Sequence, residues 1–74
     1  MSGPDAPRDA EGWIAAFAAE LGVDAPDATT VATLLDLAGV AAHASERSAA
    51  PIAAYLVGRS RIDPATALDR AEEI

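Results

Sequence analysis

Apolar residues recur at helical spacing throughout the longer segments of this 74-residue chain. No segment alternates apolar and polar residues in the way that a half-buried strand does. Alanine, which has the best intrinsic helix propensity, supplies 20 of the residues. The pattern therefore predicts an all-α fold, a small compact array or bundle of about four short helices.

Capping signals divide the chain into these helices, because Asp or Ser favours a helix start and Gly favours a helix end. We predict helices over roughly residues 9 to 21, closed by Gly22, and 28 to 44, a third capped by Ser48, and a fourth that starts at Asp63-Pro64. Residues 1 to 8 combine proline, glycine and charge, which is typical of a flexible N-terminal arm. Residues 9 to 74 then form a single helical domain.

The second predicted helix is apolar on most of its sides. A stripe at helical spacing comprises Val31, Leu34, Leu35, Ala38, Ala41 and Ala42. Leu37 and Val40 fall off this stripe, so they indicate either a surface for another protein or a helix that is central to the fold. Trp13, Phe17 and Tyr55 are expected to be core aromatics.

The size and charge of the chain limit its possible functions. A chain this short buries only about 60% of the surface of its unfolded form, and it has no cysteine with which to add disulfides. Its net charge of −7 disfavours binding to nucleic acid and to anionic membranes. It has no apolar stretch typical of a secretory signal or a membrane span, so we predict a cytoplasmic protein.

The polar segment around His43 is the only candidate for a reaction site. Asp36 lies two helical turns earlier, about 10 Å along the axis, which is too far for a hydrogen bond to His43. The chain has no second histidine and no HExxH motif for a metal, and no serine lies in a nucleophile elbow. We therefore predict no enzyme, no metal and no cofactor, and a turn between two helices at this segment.

One cluster of basic residues stands out in this acidic chain. Arg59, Arg61 and Arg70 lie near the end of the third predicted helix and in the fourth. Arginine binds carboxylates and phosphates well, so the cluster could hold an anion or an acidic patch of a partner. Ordinary complementarity between basic residues and a helix C-terminus explains it equally well.

Five segments together resemble a small actinobacterial domain family of unknown function (domain-of-unknown-function family 6457). They are Trp13-Ile14, residues 20–23, residues 35–38, residues 42–47 with the sequence AHASER, and residues 50–58 with the sequence APIAAYLVG. The resemblance covers roughly residues 12 to 58, and its HxxERxxAP core is more than an amphipathic pattern. The chain departs from the family pattern at Gly39-Val40, where a charged pair is common.

Members of that family occur as short free-standing chains and as segments attached to MobA-like molybdenum cofactor guanylyltransferases. The resemblance implies an association with molybdenum-cofactor maturation or with a molybdenum-dependent formate dehydrogenase. It implies no catalytic residues. The transferase part is missing from this chain, so the resemblance implies no transferase activity.

We therefore predict a non-catalytic accessory or protein-interaction subunit that binds a larger protein partner or forms a homodimer. The residues expected to contact the partner are Leu37, Val40, His43, Glu46 and Arg47. The alternative is a small-ligand or cofactor-binding module in which His43, Arg47 and Tyr55 recognise an anionic group.

Overall fold

Helices form nearly all of the regular structure in the computed structural model, which describes residues 9–74. They are α1 (Ala10–Leu21), α2 (Ala28–Ala44), α3 (Ala49–Ser60) and α4 (Pro64–Glu72). No strand occurs within the described residues. The predicted all-α fold of four short helices is confirmed, with the predicted helix starts. The predicted arm of residues 1 to 8 lies outside the described residues.

Aspartate side chains cap three of the four helices at their N-termini. Asp9 accepts a hydrogen bond from the backbone N–H of Gly12 at 2.8 Å, and Asp27 accepts one from that of Thr30 at 2.8 Å. Asp63 accepts from the backbone N–H of Thr66 at 3.1 Å, and Pro64 follows it in the first turn of α4. Each cap satisfies one of the N–H groups that a helix start leaves without an intrahelical partner.

Ser48 occupies the predicted N-cap position of α3, but its side chain makes no capping hydrogen bond, so the prediction is wrong in that respect. Its backbone already has helical torsions, φ −66° and ψ −17°. A capping side chain normally stands on extended backbone, from which its oxygen reaches the N–H groups two or three residues ahead. The start of α3 is defined instead by turn hydrogen bonds, from the N–H of Ala49 to the carbonyl of Glu46 and from Ala50 to Arg47.

The cap of α2 makes a testable contribution to the acid stability of the domain. The hydrogen bond from the backbone N–H of Thr30, with a smaller contribution from the Thr30 side chain, lowers the pKa of Asp27 below its ordinary value of 3.8. A lowered pKa in the folded state stabilises that state above the unfolded pKa. This stabilisation is then lost as the pH falls below 3.8 and through the folded pKa.

We therefore expect Asp27→Asn to reduce the loss of stability between neutral pH and pH values below 3.8, because asparagine caps without titrating. Thermal unfolding followed by circular dichroism across this range measures the effect. Asp24→Asn, at an exposed position in the same loop, is the control and should keep the wild-type acid dependence. Identical acid profiles for Asp27→Asn and the wild type would show that the cap makes no contribution.

Helix α2 is the centre of the fold, because both α3 and α4 pack on it. Leu37 on α2 is 2% exposed, the lowest value in the described chain, whereas Leu35 is 67% exposed. The predicted stripe is therefore wrong in part: Leu35 on the stripe is exposed, and the buried face is centred on Leu37, with the half-buried Leu34 and Ala41 beside it. An α-helix that is apolar nearly all round allows either face, and the packing of α3 and α4 selects this one.

Helix α1 takes no comparable part in the helix packing, and the described chain is elongated, with extents of 45 × 23 × 18 Å. Ala18 on α1 is buried, but Trp13 and Phe17 are 55% and 47% exposed. Their rings lie against each other with centroids 5.0 Å apart. Tyr55 on α3 is also exposed. The prediction that these three aromatics form the core is wrong, because too few helices surround them to cover them.

The turn from α3 to α4 is held by one side chain. The Ser60 hydroxyl donates a hydrogen bond to the carbonyl of Val57 at 2.8 Å and accepts one from the N–H of Ile62 at 3.0 Å. Arg61 between them has a left-handed backbone with φ 61°. This local network fixes the direction in which α4 leaves α3 and therefore places α4 against α2.

No helix among residues 9–74 is both long enough and apolar enough to cross a membrane.

Candidate functional site

An open groove of about 500 Å³ lies between α2, α3 and the C-terminal end of the chain. We call it the central groove, and its main apolar lining comes from Leu37, Val40, Ile52, Leu56, Ala71 and Ile74. Because residues three or four positions apart share one face of a helix, Leu37 and Val40 line it from α2 and Ile52 and Leu56 from α3.

The lining of the central groove is only partly shielded from water. Ile52 is 60% exposed, Leu56 is 57% exposed and Ile74 is fully exposed. Leu37 forms the buried floor beneath them. Exposed apolar side chains around a hollow are suited to pack against another molecule.

A second hollow, of about 270 Å³, continues the central groove toward the α3–α4 turn. It shares Leu37, Leu56 and Ile74 with the groove, and it adds Val57 and the exposed Arg70. The combined surface therefore has an apolar floor with a carboxylate, that of Glu46, beside the α2–α3 loop and a guanidinium, that of Arg70, on α4.

The structure brings together three of the five residues that the sequence predicted to contact a partner. Leu37, Val40 and Glu46 line the central groove, whereas the exposed His43 and Arg47 lie outside it. For Leu37 the predicted position on α2 is wrong. It was expected on the side of α2 away from the core, but it is the most buried residue, so it supports the groove from below and offers almost no surface for contact.

The alternative anion site does not coincide with any of these hollows. None of His43, Arg47 and Tyr55 lines the central groove or the second hollow. The Tyr55 hydroxyl instead accepts a hydrogen bond from the Arg59 guanidinium at 3.1 Å, and that group lies 6.0 Å from the centre of the Tyr55 ring. Tyr55 and Arg59 are one helical turn apart, so this contact is local to α3.

The three arginines of the predicted basic cluster occupy different settings. Arg59 contacts Tyr55, Arg61 forms the left-handed turn after α3, and Arg70 lines the second hollow. Across residues 9–74, no group of three or more His, Asp or Glu side chains is placed to hold a metal ion. Every buried side-chain nitrogen or oxygen in that range has a hydrogen-bond partner. The chemistry that the groove offers is the binding of apolar surface.

Sequence reasoning missed the walls of the groove on α3 and α4. Ile52 and Leu56 lie at helical spacing on the same side of α3 as Tyr55, and all three are exposed. The sequence does contain a signal for this exposure, namely the large number of apolar residues compared with the small number of helices. A chain in which 51% of the residues are hydrophobic and which has only four short helices cannot cover all of its apolar side chains.

Comparison with known proteins identifies the family of the chain and no individual relative. No curated protein and no solved structure matches it. A family model described as "Domain of unknown function (DUF6457)" matches residues 5–73, a longer range than the segments that carry the resemblance in sequence. The chain therefore belongs to the family described as Domain of unknown function (DUF6457).

Proposed function

We propose that this chain is a non-catalytic accessory protein whose function is to bind another, larger protein. The observation that carries the proposal is the amount of apolar surface left uncovered. Nine large apolar side chains are about half exposed or more, whereas only Ala18 and Leu37 are buried among the hydrophobic residues described. Removing exposed apolar side chains from water is favourable, so these side chains would stabilise an association with a partner.

The proposed contact for the larger partner is the loop face, which we define as His43, Glu46 and Arg47 with Val40 beside them. These residues lie at the end of α2 and in the loop before α3, and all but Val40 are exposed. The loop face combines one apolar side chain with charges of both signs. A polar and charged rim next to an apolar groove is the common anatomy of a protein interface.

The partner that we propose is a molybdenum-cofactor maturation factor or a molybdenum-dependent formate dehydrogenase. This part of the proposal rests on the resemblance in sequence, since the family itself is described without a function. The cytoplasmic location likewise stays a prediction from the sequence.

Affinity purification of the tagged chain from its native cells, followed by mass spectrometry, tests the proposal. A His43→Ala, Arg47→Glu double variant changes two exposed side chains of the loop face that lie outside the central groove. We expect the wild type to retain a defined partner and the double variant to lose most of it. The matched control is Ala65→Glu, which adds a negative charge at an exposed position in the first turn of α4, where the helix dipole favours it.

Recovery of the same partner by the double variant would contradict a role for the loop face. Elemental analysis of the purified complex tests whether the partner is a molybdenum protein, and we expect molybdenum in the wild-type eluate. If the partner contains no molybdenum and is not a maturation factor, the chain would still be an interaction protein. Its proposed association with the molybdenum cofactor would then be wrong.

A further inference from the structure

Helix α1 has an apolar stripe that stays exposed among the described residues 9–74. Trp13, Phe17 and Leu21 recur every four residues, so they lie on one side of α1, and they are 55%, 47% and 59% exposed. Ala18 is the one buried residue of α1, and it lies three positions before Leu21, so the stripe borders the buried side of the helix.

The charge of the chain is distributed unevenly between α1 and the rest of the molecule. Residues 9–35, which contain α1, have five acidic residues and no basic one. Every arginine in the described chain lies between Arg47 and Arg70. Arg70 lines the second hollow, which continues the central groove. Glu46 lines the central groove itself, at its α2–α3 end. The acidic α1 is therefore complementary to the combined surface in hydrophobicity, and in charge at the Arg70 end.

The dimensions of the two surfaces also agree. Helices α1 and α3 each have 12 residues, so both are about 18 Å long. A helix that presents apolar residues at regular helical spacing to a hydrophobic groove is a common mode of recognition. The α1 stripe has this spacing, and α3 forms one wall of the groove along a similar length.

We propose that a second copy of this chain fills the central groove. In this arrangement α1 of each copy docks into the groove of the other, with Trp13, Phe17 and Leu21 as the apolar anchors. A two-fold axis makes the exchange reciprocal, so one operation covers both the α1 stripe and the groove in each copy. The homodimer goes beyond the proposed function, and it leaves His43 and Arg47 outside the groove.

The area available approaches that of a specific interface. Side chains of this size that are about half exposed each offer on the order of 100 Å², so the six main contributors supply roughly 600 Å² per copy before backbone and small side chains are added. A standard interface buries about 800 Å² per partner. The six are Trp13, Phe17, Leu21, Ile52, Leu56 and Ile74.

Sedimentation equilibrium of the purified chain tests the dimer directly. We expect the wild type to be mainly dimeric at about 100 µM, since interfaces of this size reach micromolar affinity. Phe17→Glu on α1 and Leu56→Glu in the groove should each weaken the dimer by on the order of a hundredfold, because each change occurs twice in a symmetric dimer. Leu35→Glu is the matched control, since Leu35 is 67% exposed but lines neither the groove nor the second hollow.

Mixing the two interface variants distinguishes this dimer from one in which like surfaces meet. The Phe17→Glu chain keeps an intact groove and the Leu56→Glu chain keeps an intact α1. The mixture should therefore form a heterodimer with one complete α1–groove contact, although each variant alone is monomeric. Failure of the mixture to associate would contradict the reciprocal exchange, as would a wild-type chain that is monomeric at about 100 µM.

The single tryptophan gives a second measurement that needs no variant. Trp13 is half exposed in one copy, so its emission should shift to shorter wavelength and its acrylamide quenching should fall as the protein concentration rises. A monomer in which Trp13 is protected at every concentration would show that α1 folds onto its own chain, and the proposal would be wrong. Circular dichroism confirms that each variant keeps its helices. These measurements use the pure chain, so their result is independent of whether cells contain the larger partner.

Discussion

Leu37→Ala is expected to lower the free energy of unfolding by about 2–5 kcal/mol, the range observed when a buried leucine is truncated to alanine. Leu37 is 2% exposed and lies where α3 and α4 both pack on α2. It also contributes to the central groove and to the second hollow. Truncation would therefore remove apolar contacts with two helices at once. In a domain of 74 residues such a loss is comparable to the whole stability.

Urea unfolding followed by circular dichroism at 222 nm, a standard helix signal, measures this effect. Leu35→Ala is the matched control, because Leu35 lies two residues away on α2 and is 67% exposed. We expect its unfolding free energy to stay within about 0.5 kcal/mol of the wild type. Equal losses at the two positions would show that the face of α2 around Leu37 is not the core.

The second large effect is expected when glycines are replaced by alanine. The change raises the free energy of unfolding at some positions and lowers it at another. Gly39 and Gly58 lie inside α2 and α3, and a Cβ added at either would meet no atom within 4 Å. Replacing both with alanine should stabilise the chain by about 1–2 kcal/mol, since glycine in a helix costs roughly 0.5–1 kcal/mol relative to alanine.

Gly22 is the opposite case. It follows α1 with φ 76°, and its N–H donates to the carbonyl of Ala19 while that of Val23 donates to Ala18, which together form a Schellman motif. Alanine in this left-handed conformation costs about 1–2 kcal/mol. Gly22→Ala should therefore destabilise the chain, although here too an added Cβ would meet no atom within 4 Å.

Urea unfolding of the Gly39→Ala, Gly58→Ala double variant and of Gly22→Ala tests the expected stabilisation and the expected destabilisation under the same conditions. A destabilised double variant would mean that another surface packs closely on α2 or α3 at these glycines. A stabilised Gly22→Ala would show that α1 does not end in the left-handed turn.

The helix boundaries could be predicted because local interactions determine them. An Asp at the N-cap bonds N–H groups only three residues away, as Asp9, Asp27 and Asp63 do. The Asp63-Pro64 pair is informative because proline is favoured in the first helical turn, where no N–H is needed. Ser48 shows the limit of this reasoning. Serine is a good capping residue, but whether it caps depends on its backbone torsions, which the residue type does not fix.

The packing could not be predicted to the same extent, because it depends on contacts between segments that are far apart in the sequence. Two apolar stripes overlap on α2 and share Leu34 and Ala41, so periodicity alone did not distinguish the face that contains Leu35 from the face that contains Leu37. The aromatic residues of α1 have the spacing of a core stripe. That spacing is equally suitable for contact with another molecule, and only the position of α1 outside the main helix packing separates the two cases.

The residues predicted to contact a partner account for only part of the groove lining. The end of α2 and the loop after it do border a groove, and Val40 and Glu46 line it. The other wall comes from Ile52 and Leu56 on α3, with Ala71 and Ile74 from the end of the chain. These segments reach the groove only because the turn around Ser60 directs α4 back onto α2.

The central claim is that this chain associates with protein to cover its exposed apolar surface. Native mass spectrometry of the tagged chain, isolated from its native cells under mild conditions, tests that claim most directly. We predict complexes that contain at least one further polypeptide, either a second copy or a larger partner, and little free chain. A population consisting of the single chain, folded and without any bound protein, would contradict the claim.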